Sequence, residues 1–244
     1  MADVVILEAV RTPVGRRNGA LSTVHPAELL GVALTEMVSR SSVDPAAIEQ
    51  VVGGCVSQVG EQSFNVTRTA WLSAGLPLET ASTTVDTQCG SSQQATGLAT
   101  SLVGTGVADV AVACGVELMS RIPIGSNSSK KLGYGTAIPK SYFAQHEFTT
   151  QFEGAERIAE KWGITRADTD ELGLRSQQLA ATAWDEGRFE SQIVPVEVPD
   201  LDPEGAPTGS THQFTRDEGL RETTLDKLAT LKPAFDRTSG RGTL

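Results

Sequence analysis

Thr83–Val103 reads TTVDTQCGSSQQATGLATSLV, and the change of period inside it decides the fold. Its first residues are β-branched, so Ser82–Asp86 is expected to form a short strand. After Cys89-Gly90, the apolar residues Ala95, Leu98, Ala99 and Leu102 recur at helical spacing. Cys89 therefore falls where a strand turns into a helix. Ser91 and Ser92 carry side-chain oxygens suited to the free N–H groups of a first helical turn. The positive end of the helix dipole favours thiolate over thiol at such a place. Gly90 is expected to permit a tight turn and close approach of a substrate. This layout presents a nucleophile at the top of a sheet. The other reading of the same pattern is a buried structural cysteine, since most free cysteines behave as small core residues.

Composition narrows the function classes. The 244 residues are 39% hydrophobic and 20% charged with 24 Gly, ordinary for a soluble α/β protein of one large or two small domains. A net charge of −10 speaks against nucleic acid as a partner and against a polybasic membrane anchor. Cys55, Cys89 and Cys114 are odd in number, far apart and without a CxxC pair, so a reducing, cytoplasmic setting is expected. No stretch approaches the roughly 20 apolar residues of a membrane span.

Outward from the central stretch, strand and helix patterns alternate. Val4–Leu7 reads as a buried strand, and Arg11-Thr12-Pro13 with Gly15 and Gly19 as a turn-rich loop whose arginines, Arg11, Arg16 and Arg17, are solvated. Pro26 starts a helix with Leu29, Leu30, Ala33 and Met37 on its apolar face. Asp44-Pro45 opens a short turn or helix. Gln50–Val56 is a buried strand that includes Cys55, and Asn65–Ala74 a helix with Trp71 and Leu72 inward. Asp109–Val116 is a further buried strand. Such alternation implies parallel strands under helical cover. Past Met119 the character changes. Ser120–Tyr142 is loop-rich and includes Lys130-Lys131; Gln151–Trp162 is a helix. Thr165-Arg166-Ala167-Asp168 has the form of a capping box ahead of a long helix lined by Leu172, Leu179 and Ala183. Ile193–Val198 reads as a strand, Asp200–Ser210 as a loop, and Arg221–Leu231 as holding a short helix.

With these residues in place, the chain resembles the N-terminal part of the thiolase family, which makes or cleaves 3-ketoacyl-CoA. The matching stretches are Arg11-Thr12-Pro13 with Gly15, the Cys89-Gly90-Ser91 turn, and Cys114-Gly115-Val116-Glu117-Leu118-Met119-Ser120, which resembles the family's GGMESMS. Ala155-Glu156-Arg157-Ile158-Ala159, Gly219-Leu220-Arg221 and Leu231-Lys232-Pro233-Ala234-Phe235 follow in family order. The resemblance implies a first α/β half-repeat over residues 1–117. A mostly helical loop domain over 118–244 would cover the CoA and acyl groups and run into the start of a final strand. It also implies Cys89 as the acylated nucleophile, attacking a thioester or 3-ketoacyl thioester, with a second base and an oxyanion hole completing the chemistry. Cys55 and Cys114 lie in apolar strands and read as core residues.

The resemblance further implies acyl-CoA as substrate with no permanently bound cofactor and no metal, and a homodimer or homotetramer paired through the strand before the nucleophile. It places Arg221 beside the adenine of CoA, with Lys227 and Leu228 near that pocket. Gln151-Phe152 stands where short-chain biosynthetic members carry a His-Met pair, so Phe152 would line the acyl pocket. That feature is similar to thiolases of longer or bulkier substrates, including mycobacterial-type steroid side-chain thiolases. Ser92 replaces the Gly of the family's CGSG. The family's TAGN, NEAF, GHPxGxxG and CxGGG motifs are not found in these residues, and His25, His146 and His212 match none of them. His25 reads as a helix-start residue, and His146 and His212 as solvated. The competing expectation is a non-catalytic acyl-CoA-binding member or inactive fragment lacking the acid–base residues. A ketosynthase relative fits less well, because its cysteine motif reads closer to ACSSS than to TQCGSS.

Overall fold

The computed structural model describes residues 3–128 and 133–233. Two compact units divide the chain: Met1–Gly133 with Glu190–Gly219, and Tyr134–Phe189 with Leu220–Leu244. The first unit thus extends past residue 117, and a later segment returns to it.

In the first unit, Pro26 opens helix α1, Pro26–Ser41, and the His25 ring accepts the Ala27 N–H as its cap. Pro at the first turn wastes no hydrogen bond, since that N–H has no partner in a helix anyway. A one-turn 3-10 helix at Pro45–Ala47, capped by Asp44, leads into strand β1, Gln50–Gly54. Helix α2, Val66–Ser73, is capped by Asn65, and strand β2, Ala81–Val85, follows. Helix α3, Ser91–Gly104, and strand β3, Ala111–Gly115, complete the series. The strands form a parallel sheet in the order β2-β1-β3.

Successive β1 residues face opposite sides of this sheet. Val51 and Cys55 pack with Leu30, Leu34, Val66, Ala70 and Trp71 from α1 and α2 in one apolar core. Gly53 shares that side, because a Cβ on it would lie 2.1 Å from Thr67 Oγ1 of α2. Gly54 faces the other way, onto α3, where a Cβ would lie 2.5 Å from the Ser91 carbonyl carbon. The result is three layers, with α1 and α2 on one face and α3 on the other. Trp71 is fully buried and its indole N–H donates to the Pro77 carbonyl, whereas Leu72, expected inward, is exposed. In α3 only Ser91, Ala95 and Ala99 are buried, a stripe one residue wide, and Leu98 lies outside it.

Strands β4, Val196–Leu201, and β5, Pro207–Phe214, form an antiparallel hairpin in the same unit. Val196, Val198 and Phe214 bury against Leu21, Leu29 and Leu118 in a second core. The expected strand at Ile193–Val198 therefore starts later, and the loop expected over Asp200–Ser210 is largely hairpin. Gly205, at φ +85°, makes the turn, with Asp202 Oδ1 accepting the Ala206 N–H. Every β5 residue but Phe214 is exposed, so no alternation of apolar residues marks that strand.

Val4–Leu7 corrects a second expectation. It joins none of the described strand ladders, and Ile6 is 82% exposed. Across a cavity of about 1080 Å³ it faces β3, whose outer edge also has no described partner. An apolar run becomes a strand only where a neighbour supplies hydrogen bonds, and this one has no strand partner among the described residues. Nearby, Arg11 is not free in solvent. Its backbone bridges Gln192 and Val194, and its guanidinium grips both carboxylate oxygens of Asp217, at 2.8 and 3.0 Å.

The second unit is mostly helical: α4, Tyr142–Gln145; α5, Gln151–Trp162; α6, Arg166–Asp185; and α7, Leu225–Ala229. Thr165 and Asp168 form the expected capping box of α6. Leu172 and Leu179, expected to be buried on α6, are exposed, since no described element of the unit covers their face. His146 packs on the Tyr142 ring, and in the first unit His212 Nδ1 lies 2.6 Å from Asp200 Oδ1. Lys130-Lys131, Ala234-Phe235 and the start of a final strand lie outside the described residues.

Candidate active site

Cys89 is presented by a tight turn between β2 and α3. Asp86 Oδ1 accepts the Gln88 N–H at 2.7 Å, closing a side-chain turn. Gln88 then sits at φ +55°, left-handed backbone that a non-glycine residue enters only at a cost. Cys89 follows, exposed, with Gly90 as the N-cap of α3 and Ser91 as its first residue. The strain therefore lies at Gln88 rather than at Gly90, whose φ is an ordinary −91°. Nor does Ser91 act as a cap. Its Oγ folds back, donating to the Gln88 carbonyl at 2.6 Å and accepting the Thr87 N–H at 3.0 Å. Those two bonds lock the turn from inside the helix.

Two glycines set where this turn sits. Gly54 and Gly115 end β1 and β3 beneath the first turn of α3, and a Cβ on Gly115 would lie 2.0 Å from Ser92 Oγ. Without side chains there, the helix N-terminus rests directly on the carboxyl ends of the parallel strands. Gly53 does the same for α2 on the opposite face. The Gly53-Gly54 pair was visible in the sequence as an interruption of a β-branched run, a common sign of close backbone approach.

The other two thiols are unlike Cys89. Burial pushes Cys55 up to about 12, with the charges of Glu117 and Asp86 adding to it. Burial alone pushes Cys114 to about 12. Both stay protonated at neutral pH and are inert as nucleophiles.

Glu117, which the sequence reading quoted only within a motif, joins the ends of the sheet. Its carboxylate accepts the Val56 N–H at 2.8 Å, the Ser57 N–H at 3.2 Å and Gln62 Nε2 at 2.9 Å. Gln62 is fully buried and returns its Oε1 to the Leu118 N–H at 2.8 Å.

The residues expected to hold CoA all belong to the second unit. Arg221 is exposed, and its backbone N–H donates to Gln177 Oε1 of α6 at 3.0 Å. Lys227 is exposed, 3.8 Å from Glu222, and the Leu228 carbonyl accepts Arg166 Nη2 at 2.7 Å. These bonds bring Arg221 and α7 alongside α6. Gln151 and Phe152 form the exposed first turn of α5. No cluster of His, Cys, Asp and Glu among the described residues has metal-binding geometry.

The chain is 40% identical over 242 residues to the steroid 3-ketoacyl-CoA thiolase FadA6 of Mycobacterium tuberculosis, covering 97% of this chain and 57% of that one. It is 35% identical over 240 residues to a 3-ketoacyl-CoA thiolase of Bacillus subtilis, covering 96% and 60%. The crystal structure of the Bacillus anthracis acetyl-CoA acetyltransferase superposes with a TM-score of 0.80 at 35% identity, over 96% of this chain and 59% of that one. The chain thus spans less than two thirds of the length of these relatives. The model of the thiolase N-terminal domain matches residues 4–243, so this chain belongs to the thiolase family.

Proposed function

We propose that the chain supplies the acylation site of a thiolase-type acyltransferase, with Cys89 as the nucleophile. The observation that carries this is the seat of Cys89: an exposed thiol on a strained turn, at a helix N-terminus, over the carboxyl ends of parallel strands. In the reaction, the Cys89 thiolate attacks the acyl carbonyl and a new carbon–sulfur bond forms. In thiolysis the carbon–carbon bond to the leaving acetyl-CoA breaks, its α-carbon takes a proton, and the acyl group rests on Cys89 until the thiol of CoA takes it. In condensation the bond to CoA breaks and the α-carbon of a second acetyl-CoA takes the acyl group. The α3 N-terminus favours negative charge beside it. The proton transfers and the oxyanion contacts require groups that these residues do not supply in the family's pattern.

The substrate class is an acyl-CoA, with CoA entering and leaving rather than staying bound. Arg221 is proposed to stack on the adenine, where a guanidinium plane also offsets phosphate charge, with Lys227 and Leu228 beside it. Gln151 and Phe152 are proposed for the acyl group. The steroid 3-ketoacyl-CoA named for the mycobacterial relative supports a bulky acyl chain. A homodimer or homotetramer through the edge of β2 that has no partner among the described residues completes the proposal, and light scattering on the complete protein checks it.

The deciding experiment is intact and peptide mass after incubation of the complete protein with a 3-ketoacyl-CoA. An acyl adduct on Cys89, lost in Cys89→Ser, is the expected result. An adduct on another residue, or turnover that survives Cys89→Ser, rules the proposal out.

A further inference from the structure

Glu117 has no part in the chemistry described so far, yet the chain after β1, the end of β3 and the Gln62 side chain meet at its carboxylate. The end of β1 passes Gly54 and Cys55 into Val56 and Ser57, whose successive N–H groups both point at the Glu117 carboxylate. The end of β3 passes Gly115 and Val116 into Glu117 itself, and the Val116 N–H donates to the Gly54 carbonyl. The end of β2 is tied in because the Cys55 N–H donates to the Val85 carbonyl, one residue before the Asp86–Cys89 turn. Gly54 and Gly115 carry the first turn of α3. Gln62, fully buried, adds a third donor and spans from Glu117 to the Leu118 N–H and the Ser57 carbonyl.

Three N–H donors aimed at one side chain require an acceptor with two oxygens and no donor of its own, and only a carboxylate provides that. A glutamine of the same shape would turn an NH₂ group toward one of the three donors. We infer that Glu117 is a positioning residue for Cys89: it clamps the carboxyl ends of the parallel strands so that Gln88 is held in its left-handed conformation and Cys89 in its place on the turn. It touches neither the thiol nor the acyl group. The inference rests on the assignment of Cys89 as the nucleophile.

The test is single-turnover acylation of the complete protein by a 3-ketoacyl-CoA, in wild type, Glu117→Gln and Val112→Ala. Val112 is a buried core residue of β3 outside the clamp and serves as the stability control. Glu117→Gln is expected to slow Cys89 acylation about tenfold or more at saturating substrate, with half-saturation within about twofold of wild type, because small misplacements of a reacting group act on rate. Hydrogen exchange at Gly90 and Ser91 is expected to quicken in the same variant. Val112→Ala is expected to leave both readouts unchanged in the folded protein. Should Glu117→Gln fail to fold, Glu117→Asp keeps the charge, shortens the reach by one methylene and carries the same expectation. A folded Glu117 variant that acylates at the wild-type rate overturns the inference and leaves the assignment of Cys89 intact. A wild-type protein that is not acylated at Cys89 overturns both.

Discussion

Three cysteines in one small domain have three environments, and burial separates them. Cys89 is open to solvent, while Cys55 and Cys114 are thiols held up to about 12 by desolvation. Iodoacetamide near neutral pH should therefore label Cys89 first, read by peptide mass; earlier labelling of either other cysteine contradicts the assignment. The same shifts make stability depend on alkaline pH. Unfolded thiols ionise near their ordinary 9.0, whereas the folded ones wait until about 12. The folded state thus binds more protons between those values, and its stability is complete below 9.0 and declines as pH rises toward 12. Urea midpoints measured across that range should fall, and the fall should shrink in Cys55→Ala. A flat profile would show that neither thiol is buried as described.

At the scale of elements, the seat of α3 depends on what two strand ends lack. Gly115→Ala would bring a Cβ to 2.0 Å from Ser92 Oγ and 2.9 Å from the Gly54 carbonyl oxygen. The serine can rotate away, but the carbonyl is backbone and cannot. Gly54→Ala meets the Ser91 carbonyl carbon and the Ser92 nitrogen at 2.5 Å and Ser91 Cβ at 2.9 Å, none of which a hydroxyl removal at Ser92 relieves. Overpacking of this kind costs about 1–3 kcal/mol or more. Both variants should lower the urea midpoint, and removing the Ser92 hydroxyl should rescue Gly115→Ala in part and Gly54→Ala not at all. Equal rescue of both would mean that the helix rests on the sheet differently.

At the scale of the molecule, the first unit leaves apolar surface uncovered. Val5, Ile6 and Leu7 are exposed along one side of the cavity of about 1080 Å³, and the open edge of β3 lines the other. Leu98 of α3 lies outside the buried stripe. Apolar patches and bare sheet edges of this size are interaction surfaces or aggregation sites. The 244-residue chain expressed alone should bind an apolar dye and self-associate, and Ile6→Lys should reduce both. It should also fail to cleave acetoacetyl-CoA or longer 3-ketoacyl-CoA at a family-like rate, because a missing base typically costs about 10²–10⁴-fold. A monodisperse chain with ordinary thiolase turnover would show that other residues carry the chemistry.

What the residues alone determined is local. The strand–turn–helix around Cys89, the Pro26 start of α1, the Asp44 cap, the α5 bounds and the Thr165–Asp168 capping box were all legible, because period, caps and prolines act over a few neighbours. The family motifs, also local, marked the turn that carries Cys89. Tertiary structure decided what depends on partners distant in sequence. Val4–Leu7 has strand composition but no strand partner among the described residues, and β5 lacks strand composition yet pairs with β4. Leu72, Leu172 and Leu179 sit at helical spacing but are exposed. Arg11 meets Asp217 across 206 positions, and Glu117 meets Val56 across 61. Hydrogen-bond partners and burial are properties of the assembled chain, so the turn that presents Cys89 could be read from its own residues, while the clamp beneath it could not.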